Sequence, residues 1–138
     1  MIYLDSAAVV KLVHAEVHSA ALREFLDRHT EVEWVSSALV EVETYRALSR
    51  ATAAVGTPTV VNEFHALLDL IVRIEIDPGV RIRTQTVSPP AARSLDAIHL
   101  ATGLRLRDRG QLTSFVTYDK RLADAASAAG LTLDAPTD

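Results

Sequence analysis

Short runs of aliphatic and β-branched residues recur along the chain, separated by longer stretches in which apolar residues follow a helical spacing. The short runs are β-prone and too short for helices, so they predict strands at residues 2–4, 32–35, 71–76, 115–117 and 131–133. Apolar and charged residues alternate within the third run, which indicates a strand near an edge of the sheet.

The longer stretches predict helices, because their apolar residues fall on one face. The predicted helices cover Ser6 to Val13, 17–28, about 37–54, Pro58 through Leu68, 95–109 and 120–129. Ser36 or Ser37 is expected to cap the third of these helices, and Ser94 is expected to cap the helix from 95. Gly56-Thr57-Pro58 is expected to end one helix and to begin the next.

Residues 80–87 are ambiguous between strand and helix. Val80, Ile82, Thr84 and Thr86 alternate as in a strand, but the preceding Pro78-Gly79 can open a short helix, and we favour the helix. Short strands that alternate with helices indicate an α/β fold. We therefore predict one domain over residues 1–138, with a central, mostly parallel sheet of four to five short strands flanked by helices.

The amino-acid composition excludes several classes of protein. The 138 residues contain no cysteine, which excludes a disulfide framework, a zinc ribbon and a thiol nucleophile. The 18 Asp and Glu exceed the 14 Lys and Arg, which argues against binding nucleic acid by bulk positive charge. The N-terminus lacks a basic region and no long uncharged apolar run occurs, so we expect a cytoplasmic protein without a membrane segment.

Aspartates follow two of the predicted strands. Asp5 ends the first strand and Asp119 follows the fourth. Ligands of open parallel sheets bind beyond the carboxyl ends of the strands, so these two acids are candidate site residues. A helix begins just after each aspartate, so a purely structural role as a helix N-cap is the alternative.

Asp96 lies in the first turn of a predicted helix that carries no further charge until Arg105. The helix dipole favours a carboxylate there by only about 0.3–1 kcal/mol. Burying an unpaired charge costs several times more, so Asp96 needs a cation, an arginine or strong donors. A salt bridge to Arg93 or to another arginine is the structural alternative.

Two glutamates, Glu41 and Glu43, lie on the third predicted helix. They are two residues apart and cannot face one site together, and periodicity does not choose between them. Carboxylates gathered at one sheet edge repel one another unless a cation joins them. Oxygen ligands without cysteine suit magnesium or manganese, which commonly serve phosphate chemistry.

Four segments resemble, in order, the sequence motifs of PIN-domain ribonucleases. They are Tyr3-Leu4-Asp5-Ser6 with Val10-Lys11-Leu12, residues 37–43 with Arg46-Ala47-Leu48, residues 93–102, and Val116-Thr117-Tyr118-Asp119 with Arg121-Leu122-Ala123. The third segment, Arg93-Ser94-Leu95-Asp96-Ala97-Ile98-His99-Leu100-Ala101-Thr102, is the most specific. The whole pattern is similar to the VapC-type toxins of bacterial toxin–antitoxin pairs.

The resemblance implies a divalent-metal-dependent endoribonuclease, and it selects Glu43 rather than Glu41. Asp5, Glu43, Asp96 and Asp119 would then hold one or two magnesium or manganese ions and position the attacking water. Ser6 and Thr117 would support them by hydrogen bonds. The resemblance further implies an RNA substrate, a homodimer, and a small antitoxin that inserts an arginine or an extended segment into the acidic site.

Three positions qualify this assignment. Ala7 replaces a second serine of many relatives, and Gly103 lies in a helix where relatives often carry alanine, at a cost of about 0.5–1 kcal/mol. His99 is three residues from Asp96 and could reach a metal ion, but we expect a buried histidine with a backbone partner.

Two other functions compete with the nuclease. One is a catalytically inactive PIN-like module that binds RNA or protein. The other is a phospho-accepting receiver domain, which Asp5-Ser6 disfavours because it lacks a second acid. If four of the 18 acids bind metal, the remaining 14 equal the 14 Lys and Arg, so the acidic excess no longer excludes RNA. We expect the affinity for RNA to be modest and metal-dependent.

Overall fold

A five-stranded parallel sheet forms the centre of the protein, in a computed structural model that describes residues 1–51 and 58–138. The strands lie in the order β3-β2-β1-β4-β5. Their bounds are Ile2–Leu4 (β1), Trp34–Ser37 (β2), Ile71–Ile74 (β3), Ser114–Val116 (β4) and Leu133–Asp134 (β5). The predicted α/β class is confirmed, and β3 is an edge strand as its alternation indicated.

Helices cover both faces of the sheet. They are Ser6–Val13 (α1), Ser19–Asp27 (α2), Val40–Ala51 (α3), Pro58–Asp69 (α4), Pro78–Thr86 (α5), Ser94–Asp108 (α6) and Lys120–Ala128 (α7). Residues 80–87 are therefore mainly helical, as favoured above. No helix of the described ranges is both long and apolar enough to cross a membrane.

The pleat of β1 separates two hydrophobic cores. Ile2 and Leu4 pack with α1 to α4, whereas Tyr3 packs with α6, α7 and Phe115 of β4. All three residues of β1 are fully buried, as expected for the central strand of a sheet covered on both sides. The carboxyl end of β1 is thereby held in the middle of the sheet edge.

Several local predictions were wrong. Strand β5, predicted at 131–133, spans Leu133–Asp134, and β3, predicted at 71–76, ends at Ile74. Strand β2 begins two residues later than predicted and includes Ser36 and Ser37, whose backbones pair with β3. Ser37 accepts a hydrogen bond from the Leu39 amide at 3.2 Å, but α3 begins only at Val40. Ser94 is the first residue of α6 rather than its cap. Gly56 and Thr57, the predicted helix boundary, lie outside the described residues.

Gly103 allows α6 to lie close against β4. A Cβ atom at this position would stand 2.7 Å from Cε2 and 2.8 Å from Cδ2 of Phe115. The Phe115 ring is stacked on the Tyr3 ring, with centroids 4.6 Å apart and planes 5° apart. Both rings are completely buried. The missing side chain therefore provides the space in which this aromatic pair is packed.

Candidate functional site

Asp5 and Asp119 lie at the carboxyl edge of the sheet, and each caps the helix that follows it. Asp5 Oδ1 accepts a hydrogen bond from the Ala8 amide, and Asp119 Oδ1 accepts one from the Leu122 amide, both at 2.8 Å. Each cap uses one oxygen of its carboxylate and leaves the other oxygen for a site. A role as helix N-cap, the alternative considered for both aspartates, is therefore compatible with a role in a site.

Thr117 connects these two aspartates. Its hydroxyl donates to Asp5 Oδ2 at 2.5 Å and accepts a hydrogen bond from the Asp119 amide at 3.1 Å. Asp5 is 2% exposed, and burial raises the pKa of its carboxyl group, although the Thr117 hydroxyl and the Ala8 amide oppose this rise. Ser6 begins α1 but makes no side-chain hydrogen bond to another described residue.

Glu43 is held by a buried chain of hydrogen bonds. Its Oε1 lies 2.5 Å from His99 Nε2, and His99 Nδ1 lies 2.6 Å from the Tyr3 hydroxyl. The Tyr3 hydroxyl oxygen in turn accepts a hydrogen bond from the Ser37 amide at 3.2 Å. Glu41, the other candidate, instead pairs with Arg73 at 2.7 Å.

The donors and acceptors of this chain assign the protons. Burial raises the pKa of Tyr3 well above its ordinary value, so Tyr3 keeps its proton. Because the Tyr3 oxygen accepts from Ser37, its own proton is available to Nδ1 of His99. A carboxylate accepts and does not donate, so Nε2 of His99 donates to Glu43 Oε1. The expectation of a backbone partner for His99 was wrong: its partners are two side chains.

Asp96 lies in the first turn of α6 and is partly exposed. Partial burial raises the pKa of its carboxyl group, the Asp119 carboxylate raises it further, and Glu43 adds to the effect. His99 and Arg93 act in the opposite direction. Among residues 1–51 and 58–138, no ion pair to Asp96 is present, so the salt bridge to Arg93 considered above is not formed there.

Neighbouring carboxylates raise the pKa of two of the four acids. Glu43 raises the pKa of both Asp5 and Asp96, and Asp119 raises that of Asp96. Within the described ranges, however, no three His, Asp or Glu side chains are arranged to hold a metal ion. The donors themselves suit a hard divalent cation, because all four are carboxylates and a cation would offset their mutual repulsion.

Sequence reasoning underrated two residues of this site, His99 and Tyr3. The available signals were the three-residue spacing of His99 from Asp96 on one helix and a hydroxyl on the buried strand β1. Neither signal identifies the contact between them, because 96 positions separate the two residues.

Comparison with known proteins identifies the family. The sequence model of the PIN domain matches residues 2–128. The chain is a PIN-domain protein. Its relatives include two ribonucleases of Mycobacterium tuberculosis. VapC35 is 48% identical over 136 residues, covering 99% of this chain and 97% of the relative. VapC46 is 40% identical over 141 residues, covering 99% and 98%.

The PIN fold is also found in a solved structure. The crystal structure of M. tuberculosis VapC20, a toxin that cleaves the sarcin–ricin loop, matches with a TM-score of 0.72. The match covers 99% of this chain and all of that one at 17% sequence identity, and it supports the fold alone. PIN-domain ribonucleases generally depend on a divalent metal ion, and VapC toxins act on RNA and pair with VapB antitoxins.

Proposed function

We propose that this PIN-domain protein is a VapC-type endoribonuclease that hydrolyses RNA phosphodiester bonds with the help of a divalent metal ion. One observation carries the proposal: Asp5 and Asp119 lie at the carboxyl edge of the sheet and Glu43 raises the pKa of both Asp5 and Asp96, in a chain 48% identical to the ribonuclease VapC35. Phosphodiester hydrolysis suits such an edge, since a cation held there would meet the anionic substrate.

Asp5, Glu43, Asp96 and Asp119 would hold the metal, which we propose to be Mg²⁺ or Mn²⁺. When bound, such an ion polarises a phosphoryl oxygen and lowers the pKa of water. The protein's contribution is to fix these carboxylates. Backbone amides orient Asp5 and Asp119, and the Thr117 hydroxyl holds the second oxygen of Asp5. Ser6 follows Asp5 directly and remains a proposed supporting residue.

His99 and Tyr3 orient Glu43 from beneath the site. His99 is 1% exposed and Tyr3 is completely buried, so neither competes with RNA for the carboxylates. Their hydrogen bonds keep Glu43 Oε1 directed toward His99, which leaves Oε2 for other ligands. Asp96, by contrast, reaches the surface, where a substrate phosphate can approach it.

We further propose that the protein acts in the cytoplasm as the toxin of a toxin–antitoxin pair. A homodimer and a cognate small antitoxin would be its protein partners. Exposed apolar side chains next to Glu43 support such a contact: Val42 is 58% exposed and Tyr45 is 41% exposed on the same helix. A protein partner that packed on this helix would remove these apolar side chains from water.

The nuclease proposal is tested with the purified protein, total RNA and Mg²⁺ or Mn²⁺. We expect cleavage that a chelator abolishes. Asp96→Asn should fold normally and lose at least about a hundredfold in activity, as is typical when a charge-stabilising group is removed. Asp27→Asn, an exposed acid at the end of α2, is the matched control and should be fully active.

Full activity of Asp96→Asn, or cleavage in excess chelator, would contradict the proposed mechanism. The competing function, an inactive RNA- or protein-binding module, predicts that calorimetry detects no binding of Mn²⁺. Sequencing the 5′ ends of RNA after brief induction would identify the bonds that are cut.

A further inference from the structure

A groove of about 740 Å³ opens beside Asp96, between α6, α7 and the segment that joins α5 to α6. Its accessible apolar wall includes Val87, Ala92, Ala128 and Ala129, which are half-buried or exposed, and it lies over the second core. The volume lies in the range of about 300–1,000 Å³ that is typical of sites for small organic groups.

The rim of this groove is positively charged, although the whole chain has a net charge of -4. Four arginines line it together with two aspartates: Arg83, Arg93, Arg107, Arg121, Asp96 and Asp124. Arg83 and Arg107 are already paired with Asp108, at 2.6 and 3.0 Å. Arg93 and Arg121 are exposed and form no ion pair within the described part of the chain.

Two guanidinium groups therefore remain available next to an apolar wall. Guanidinium groups bind phosphate oxygens in a bidentate manner, and an apolar wall accommodates the faces of a base. A nucleotide combines both features in one ligand. An apolar peptide would satisfy the wall but would leave the two cations without partners, so the charge favours RNA.

The position of the groove next to the carboxylates is the second argument for RNA. Asp96 is at once a member of the carboxylate cluster and part of the groove wall. An RNA strand whose phosphodiester is cut at the carboxylates must continue past Asp96 on one side. The next nucleotide of that strand then reaches the groove.

We propose that this groove binds an unpaired nucleotide adjacent to the cleaved bond, with its base against Val87, Ala92 and Ala128 and its phosphate at Arg93 and Arg121. The site would make the enzyme selective for single-stranded RNA and for the base at that position. This inference rests on the proposed nuclease function and assigns a substrate subsite to it.

Two variants test the groove without altering the carboxylates. Ala128→Trp places a large side chain in the groove from an exposed helical position, and Arg121→Glu reverses a charge on its rim. Ala20→Trp on α2 and Arg109→Glu at the end of α6 are matched controls, since both residues are exposed and neither lines the groove.

Cleavage of a randomised single-stranded RNA library gives the rate and the base preference. We expect each groove variant to lower kcat/KM by about tenfold, within the effect of one protein–base contact, chiefly through KM. Ala128→Trp should also change the base preferred next to the cut. Both controls should cleave like the unaltered protein, and all four variants should keep its Mn²⁺ affinity.

A binding measurement separates the two proposals. The anisotropy of a labelled eight-nucleotide RNA, with Ca²⁺ in place of Mg²⁺, should show the same loss in the groove variants. If nothing is cleaved but the groove variants bind RNA more weakly, the nuclease proposal fails and the groove assignment stands. Unchanged rate, base preference and RNA binding in both groove variants would overturn the groove assignment. If the two groove variants cleaved and bound RNA normally but were no longer inhibited by the cognate antitoxin, the groove would be a protein docking site instead.

Discussion

Replacing Gly103 by alanine should destabilise the protein, although alanine is the better helix former. Gly103 lies inside α6, where alanine is favoured over glycine by about 1 kcal/mol. The sequence alone therefore predicts that Gly103→Ala stabilises the fold. The structure predicts the opposite sign, because the added Cβ would meet the Phe115 ring.

The size of the effect follows from the geometry. Carbon atoms in favourable contact stand about 3.5–4.0 Å apart. The new Cβ would lie 2.7 Å from Phe115 Cε2, roughly 1 Å inside that contact distance. Phe115 cannot retreat freely, since its ring is completely buried and stacked on the Tyr3 ring with centroids 4.6 Å apart. Overpacking of this kind costs about 1–3 kcal/mol, and we place Gly103→Ala at the upper end.

After the gain in helix propensity is subtracted, the free energy of unfolding should fall by about 2 kcal/mol. For a domain of this size that corresponds to a decrease of about 7 °C in Tm, measured by calorimetry. Gly79→Ala in α5 is the control: the atom nearest to its Cβ would be Asp77 Oδ1 at 3.4 Å, an ordinary contact, so the gain in helix propensity should remain and the Tm should stay the same or rise.

A double-mutant cycle assigns the effect to the contact. Phe115→Leu removes the ring atoms that the new Cβ would meet, so the double variant should be more stable than the sum of the two single changes by at least about 1 kcal/mol. A Tm for Gly103→Ala at or above that of the unaltered protein would refute the reasoning, as would strict additivity in the cycle.

Two further predictions concern the carboxylates. His99→Leu removes the hydrogen bond to Glu43 and should lower Mn²⁺ affinity and cleavage by about 10- to 100-fold. Glu41→Gln, on the same helix as Glu43, should alter neither. Asp5→Asn keeps a cap for α1 but removes a charge that burial disfavours, so without metal it should have a higher Tm than the unaltered protein at pH 7.5. Because the pKa of Asp5 is raised in the folded state, the difference in Tm between the two proteins should shrink as the pH falls through this raised value. A higher Tm of the unaltered protein at pH 7.5 would contradict the conclusion that burial disfavours the charge of Asp5.

The elements that were predicted correctly depend on local information. β1, α1 and the aspartate between them form one short segment, in which an apolar run, a capping side chain and a helical pattern follow directly. β2 was misplaced because Ser36 and Ser37 are polar and yet completely buried in the strand. Polarity favours a turn there, and only the pairing with β3 outweighs it.

The same distinction between local and long-range information applies to the candidate site. Asp5 and Asp119 could be proposed from strand ends and Asp96 from an unpaired charge on an apolar helix, whereas Glu43 was selected over Glu41 only by the family resemblance. The hydrogen bonds that hold Glu43 could not, because they join Tyr3, Ser37 and His99 from three separate elements. Long-range contacts of this kind depend on how α6 packs on the sheet, which periodicity does not specify.

Asp5 and Asp119 each have two roles, and this affects how their positions change during the evolution of the family. Both aspartates cap helices, so selection for folding alone would keep a capping residue at these positions in a descendant that had lost its nuclease activity. Asp96 has no such second task in the part of the chain that the structure describes: its carboxylate accepts no hydrogen bond there. Position 96 should therefore be the first of the three to drift once cleavage is no longer selected, and it is the position at which a degenerate copy of the gene can be told from a working one.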